Sequence, residues 1–360
     1  MNRFAFMIHP VEPQRDVARK YPILGKLPAG IIDYFSAFFP PVYLSHVTGV
    51  RSEANGQEIE GWLIACPMTP RRMLDVSLSR AYRKLEQTGR LAERLGADVL
   101  GLGAFTSVVG DAGATVAQRL SMPVTTGNSY TVAVAVEAAL VAAQQLGHDP
   151  ARSLAAVVGA YGATGRACAQ LLARSVSDLL LIGRDPAQLA AAQAEVLADV
   201  VPAGRVRVTT SRRLEDIEQA DIVLTVTSAV EPIVGPEHLK PGAVVCDVAR
   251  PRNVSWRVAQ ERDDVLVIEG GMVDVPGPVD FGFDFGFPPG KAYACMAETM
   301  ILALEGRPGS YSLGRSVSLD RVDEIDRLAE KHGFRISGFR SFERAVTDEA
   351  VAAVRSVAGG

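Results

Sequence analysis

The sequence predicts an α/β protein: a doubly wound parallel sheet, preceded by an N-terminal α/β region and followed by a helical C-terminal segment. Three observations carry this. From Ser153 onward, continuous apolar runs alternate with helix-forming stretches, as strands buried on both faces of a parallel sheet require. A glycine-rich turn, "GAYGATG", joins the first such run to the helix after it. At 360 residues the chain is long for one core, so two or three domains are expected.

In chain order, "EIEGWLIACPM" reads as a strand and "RRMLDVSLSRAYRKLEQTGRLAERLG" as one long helix ending at Gly96. "ADVLGLGAFTSVV" reads as a buried strand followed by a polar loop. "SMPVTTGNSYTVAVAVEAALVAAQQLG" is a Gly/Asn turn and a long apolar helix, and "HDPARS" reads as a linker. Strict alternation follows: strand "SLAAVVGA", helix "ATGRACAQLLARSV", strand "DLLLIGR", helix "DPAQLAAAQAEVLADV" and strand "RVRVTTS" (205–211). The short helix "LEDIEQA" comes next, then strands "DIVLTVTSA", "AVVCDVA" and "DVLVIEGG". The remainder is rich in Pro, Gly and Phe, then helical.

The composition excludes several classes. A net charge of −4 argues against a nucleic-acid binder. No run reaches the roughly 18 apolar residues of a membrane span, and no signal peptide is recognisable. The four cysteines form no CxxC pair and the five histidines no cluster. Free thiols in a reducing cytoplasm are expected, and no metal site.

"VVGAYGATGRA" places Gly159, Gly162 and Gly165 between a strand and a helix. The first glycine permits a tight turn, the second lets the backbone approach a pyrophosphate, and the third lets helix and strand pack closely. With Tyr161, Ala163 and Thr164 they form the predicted phosphate cradle of a Rossmann domain. At the end of the second strand, Arg184 precedes Asp185. A cation there suits the 2′-phosphate of NADP, so NADPH is the expected cofactor; the alternative has Asp185 hold the ribose of NAD. Thr227 and Ser228, ending the fourth strand, either border the nicotinamide ribose or close an ordinary loop. The expected division is a substrate or carrier domain (1–148), an NADP-binding domain (149–275) and a C-terminal segment (276–360).

Four stretches resemble the long-chain acyl-(acyl-carrier-protein) reductases that form fatty aldehydes: "LGLGAFTSVV", "TTGNSYT", "VVGAYGATG" and "YACMAETMILALEG". "EKHGF" also matches, and the resemblance runs from the first residues to about residue 340. It implies NADPH-dependent reduction of an acyl thioester, on acyl carrier protein or coenzyme A, to an aldehyde through a cysteine thioester, with Cys295 as nucleophile. The chain departs from the family at Tyr130, where cyanobacterial members have histidine. After "EGGMV" it also lacks their His-Cys pair.

Chemistry agrees with the resemblance. In "PPGKAYACM" the helix is expected to begin near Lys291, which puts Cys295 within the first turn or so, where amides and dipole favour a thiolate. Lys291 either adds positive potential or faces water. Cys66, Cys168 and Cys246 read as small core residues. Thr106, Ser107, Thr126 and Asn128 lie in loops between apolar strands and helices. They either hold substrate carbonyl or nicotinamide, or act as helix caps. The aromatic stretches "IIDYFSAFFPPVYL" and "FGFDFGFP" either line a path for an alkyl chain or pack a core, the commoner meaning. Arg80, Arg83 and Lys84 share a helix face, which either docks an acidic carrier protein or is simply solvated. Two other functions are carried alongside: a shikimate-dehydrogenase-like NADP-dependent alcohol or hydroxy-acid dehydrogenase without covalent catalysis, and a non-enzymatic NADPH-binding sensor. An aldehyde product would also admit a partner enzyme that consumes it.

Overall fold

The computed structural model describes residues 2–200 and 206–358. Arg205, which opens the predicted strand 205–211, and the outer domain ends Met1 and Gly360 lie outside the described residues. The chain forms two compact units assembled from separated stretches. One comprises Met1–Tyr130, Val273–Arg315 and Glu324–Arg335; the other comprises Thr131–Met272, Ser316–Asp323 and Ile336–Gly360.

The first unit is built on strands β1 (Arg3–Ile8), β2 (Val42–Arg51), β3 (Glu58–Ala65), β4 (Val99–Leu102) and β5 (Val124–Thr125), in the order β2-β3-β1-β4-β5. Only β2 runs antiparallel to its neighbour. Before β2 lie helices α1 (Pro13–Lys20) and α2 (Ala29–Ser36). The stretch expected to be one helix over 71–96 is two, α3 (Pro70–Asp75) and α4 (Leu78–Leu95). Val76 and Ser77 are extended, and the second helix starts afresh at Ser77. Gly96 closes α4 in the left-handed conformation, φ +85°. The short helix α5 (Ala114–Arg119) follows; the next, α6 (Asn128–Gln145), has only its first three residues in this unit and the rest in the second.

The second unit carries β6 (Leu154–Val158), α7 (Ala163–Leu172), β7 (Asp178–Ile182), α8 (Pro186–Val200), β8 (Arg207–Ser211), β9 (Ile222–Thr225), β10 (Val244–Asp247), α9 (Trp256–Glu261) and β11 (Leu266–Glu269). All its strand pairs are parallel, in the order β11-β10-β9-β6-β7-β8. This is the doubly wound Rossmann arrangement, with its crevice where β6 and β9 lie side by side and their connections diverge. The predicted strands are all present, shortened at their ends; the "LEDIEQA" helix is a 3₁₀ helix, Leu214–Gln219.

Helix α10 (Ala294–Leu304) is buried along almost its whole length in the first unit. Gly101 on β4 makes this possible: a Cβ there would overlap the Phe6 ring and the Thr299 hydroxyl of α10. Helices α11 (Leu319–His332) and α12 (Asp348–Ala358) complete the chain. The "EKHGF" stretch is a structural clamp. His332 is buried, with Ser52 Oγ at 2.8 Å from Nδ1 and Glu305 Oε1 at 2.6 Å from Nε2. Among the described residues no helix is long and apolar enough to cross a membrane.

Candidate functional site

In the second unit the three glycines of the turn have three different surroundings. Gly159 has φ +91°, and a Cβ there would press on Thr227 Cγ2 at 2.9 Å and Val226 O at 3.0 Å. A Cβ on Gly165 would overlap the carbonyl of Gly159, so helix and strand close only over glycine. A Cβ on Gly162 would meet nothing nearer than Gly159 O at 3.4 Å. That open space lies at the N-cap of α7, and Gly162 has no side chain with which to cap the amides of Ala163 and Thr164. The cradle therefore fits an external anion. The Tyr161 ring lies over Gly183 at the end of β7.

At the end of β7, Arg184 is exposed and Asp185 is committed. Asp185 Oδ1 accepts from Ala187 N (2.9 Å) and Gln188 N (3.2 Å), and Oδ2 from Gln188 Nε2 (3.0 Å). These bonds, led by the Gln188 side chain, hold its carboxyl below the usual carboxylate range. Capping α8 leaves this acid badly placed to hold a ribose diol as well. The end of β8 adds a second guanidinium: Arg212 Nε donates to the Arg184 carbonyl at 3.2 Å. At the end of β9, Thr227 donates from both N and Oγ1 to Asn253 Oδ1 at 2.9 Å, and Ser228 is exposed. Asn253 Nδ2 is buried with no hydrogen-bond partner, a donor available to a ligand in this crevice.

In the first unit, Cys295 is the second residue of α10. The preceding Lys291–Tyr293 is a short strand rather than the first turn of the helix. Lys291 pairs with Asp274 at 2.5 Å. Cys295 is partly exposed, whereas Cys66, Cys168 and Cys246 are buried. A Cβ on Gly127, which has φ +73°, would overlap Cα and Cβ of Cys295, so the "TTGN" loop lies directly against the cysteine backbone. The amides of Met296, Cys295 and Ala104 face the sulfur and favour the thiolate. They do not prevail. Burial of the sulfur, and then the Glu298 carboxylate, push the thiol up to about 12, where the helix N-terminus alone was expected to lower it. Burial also raises the other three thiols, so geometry rather than acidity sets Cys295 apart.

Ala104 reaches the sulfur through a strained backbone, φ +48°. Its turn is held from two sides. Phe105 N donates to Nε2 of buried His9 at 2.9 Å, while Thr106 Oγ1 and Ser107 Oγ donate to Gly103 O (2.7 Å) and Ala104 O (2.6 Å). Burial lowers His9 to about 4, so the ring is neutral and can accept. Thr106 and Ser107 thus brace the turn. Thr126 donates to the Ser312 carbonyl, and Asn128 opens α6, half-buried. Glu298, one helical turn beyond Cys295, accepts from Thr125 Oγ1 (2.5 Å) and Tyr130 N (2.8 Å), and burial raises its carboxyl. The aromatic stretch before the helix forms a ladder that ends at Tyr293, two residues before the thiol. Phe281, Phe285, Phe287 and Tyr293 meet edge-on or tilted at successive centroid distances of 5.0, 5.3 and 4.4 Å. On α4, Arg80 lies over the Phe38 ring and Lys84 donates to Phe39 O, while Arg83 is exposed.

Sequence reasoning missed Ala104, His9, Glu298 and Arg212. Only Glu298 carried a signal, its i+3 spacing from Cys295 on one helix.

Residues 141–269 match the family model described as shikimate/quinate 5-dehydrogenase. The chain is 33% identical over 302 residues to the aminotransferase PigE of Serratia sp. (strain ATCC 39006), covering 83% of this chain and 35% of that protein. It thus spans about a third of that relative's length. It is 28% identical over 340 residues to the long-chain acyl-[acyl-carrier-protein] reductase of Synechococcus elongatus, covering 90% of this chain and 95% of that one. Among solved structures, the ligand-free 5-ketofructose reductase of Gluconobacter sp. strain CHM43 covers 90% of this chain and 99% of its own, at 12% identity and a TM-score of 0.37.

Proposed function

We propose that this protein is an NAD(P)-dependent oxidoreductase, and more narrowly an NADPH-dependent reductase of long-chain acyl thioesters that releases a fatty aldehyde. The dehydrogenase family model and the curated reductase support the coarser reading. The narrower one rests above all on Cys295: a cysteine at a helix start that is not fully buried as a residue, with the Ala104 and Met296 amides facing its sulfur. Near end-to-end alignment with a reductase of that name supports it. NADPH is favoured over NADH because Asp185 is spent on capping, while Arg184 and Arg212 stand at adjacent strand ends.

The acyl donor is a thioester of acyl carrier protein or coenzyme A. Since the resting sulfur is a thiol, its proton has to leave during attack. The Cys295 S–C bond forms, the donor C–S bond breaks, and the proton goes to the departing sulfur. In this reading the amides of Ala104 and Met296, which face the sulfur, also donate to the oxyanion that forms beside it, and the Phe281–Tyr293 ladder offers apolar surface to the alkyl chain. When bound, NADPH supplies the hydride that reduces the acyl carbon. Collapse of the hemithioacetal then breaks the bond to Cys295, frees the aldehyde and returns a thiolate that regains a proton from solvent.

The family model covers only the nucleotide-binding stretch, so it keeps open a second reading as a dehydrogenase without covalent chemistry. Intact-mass measurement separates the two. Mixed with acyl thioester and no NADPH, the protein should gain one acyl group on Cys295, and NADPH should discharge it as aldehyde. Cys295→Ser should keep NADPH binding and lose aldehyde formation by about a thousandfold or more. An adduct on Cys66, Cys168 or Cys246, or an active serine variant, would overturn the covalent mechanism.

A further inference from the structure

The first unit exposes apolar side chains that a folded surface normally hides. Among the described residues, nine of the fifteen exposed large hydrophobics lie between Tyr21 and Tyr43, and Leu74 on α3 and Leu78 at the start of α4 are two more. Ile23 is 81% exposed, Phe38 57% and Tyr34 54%. Tyr34, Phe35 and Phe38 form one cluster, with ring centroids 5.2, 5.9 and 6.5 Å apart. Scattered apolar residues need no explanation, but a contiguous patch does.

Charge says what covers it. Arg72 lies over the Tyr34 ring at 5.2 Å, Arg80 over Phe38 at 5.1 Å, and Lys84 donates to Phe39 O at 2.7 Å. Between Lys20 and Tyr43 the only acid in the sequence is Asp33, and it is turned to accept the Thr69 hydroxyl. Asp75 is exposed nearby, outnumbered by the cations. The rings of Tyr34, Phe35 and Phe38 are half or more exposed, and Arg72, Arg80 and Lys84 are each held against a ring or the main chain beside them. That is how side chains sit when rings enter an acyl–headgroup boundary and cations stay with the headgroups. Docking to an acidic protein would call instead for cations projecting to meet carboxylates. Helix α2 has eight residues, far fewer than the roughly 20 a span requires, so it would lie in the membrane plane.

We infer that residues 21–43, with Arg72, Arg80 and Lys84 at the rim, form a peripheral docking surface for an anionic lipid bilayer. The inference stands independently of the role given to Cys295.

Flotation of the full chain with vesicles tests it. The protein should float with equimolar phosphatidylcholine and phosphatidylglycerol, much less with phosphatidylcholine alone, and less as salt rises. Phe35→Ser with Phe38→Ser should lower binding by more than about tenfold. Arg72→Glu with Arg80→Glu should lower it on anionic vesicles only, an arm that does not depend on the aromatic variant. Circular dichroism melting checks that both variants are folded. No flotation on anionic vesicles, or flotation of both variants as strong as that of the unmodified protein, would overturn the inference. So would a patch that binds acyl carrier protein, or a second copy of the chain, while ignoring vesicles.

Discussion

The helix that begins at Ala163 and the helix that begins at Ala294 both start beside a glycine, yet the two glycines do opposite things. At α7 the glycine N-cap leaves room: a Cβ on Gly162 would point into space. At α10 the glycine comes from another segment and fills the room, for Gly127 lies against the backbone of Cys295. The first helix start offers its amides outward, as a site for a charged ligand must. The second turns them on its own cysteine, inside a buried shell that includes Glu298 and the strained Ala104 turn. A binding site for an anion can be made from one short stretch. The shell around this sulfur draws its walls from several.

Substituting the two glycines should expose this difference most strongly. Gly127→Ala adds a Cβ at φ +73° against main-chain atoms that cannot step aside, and should cost about 3 kcal/mol in thermal or denaturant unfolding. Gly162→Ala sits at φ −67°, ordinary for any residue, and should change stability by less than about 0.5 kcal/mol. Its Cβ would nevertheless hold a pyrophosphate off the backbone, so NADPH affinity should fall by about a hundredfold in titration. If Gly162→Ala destabilised as much as Gly127→Ala, both turns would be structural and the contrast would fail.

The same contrast explains what could be read from the sequence. The second unit was legible because its signals are local. Strand, glycine turn and helix fall within Leu154–Leu172, and the apolar runs of β6, β7, β9, β10 and β11 match buried strands. The thiol pocket draws on His9, Ala104, Gly127, Cys295, Glu298 and Ser312. What Ala104 contributes is a backbone amide in an unusual conformation, which no residue type advertises. Glu298 was passed over because carboxylates are ordinarily exposed. β1 and β2 were not singled out. β2 carries Gly49 and two register shifts against β3, which blur the alternation of its side chains. The single long helix expected over 71–96 failed because periodicity carries through Val76 and Ser77, where the backbone is extended.

A smaller effect is expected at the rim of the cradle. If Arg184 faces the 2′-phosphate, Arg184→Ala should weaken NADPH by about tenfold or more and leave NADH nearly unchanged. Arg212 should keep part of the preference, so a double variant is needed to abolish it. Equal affinity of the unmodified protein for both cofactors would remove the assignment of NADPH.

The smallest effect tests the other side of the comparison, the charge buried beside the thiol. Burial is the first cause of the raised Cys295 thiol and the Glu298 carboxylate the second. Glu298→Gln removes the second and leaves the first, so the thiol should fall from about 12 and remain above the ordinary cysteine value. Alkylation of Cys295 by iodoacetamide, followed by mass, should reach half its maximal rate at a lower pH, by on the order of one unit. Gln would also disturb the loop, because its amide has one acceptor oxygen where the carboxylate uses two: if that oxygen accepts from Tyr130 N, the NH2 group faces the Thr125 hydroxyl that now donates to Glu298. A loosened loop, however, changes access to the sulfur and so the rate at every pH. Loss of charge moves the midpoint, and the two are read from different parts of one profile. An unmoved midpoint would mean that the Glu298 charge does not act on the sulfur. The high resting value would then be the work of burial alone.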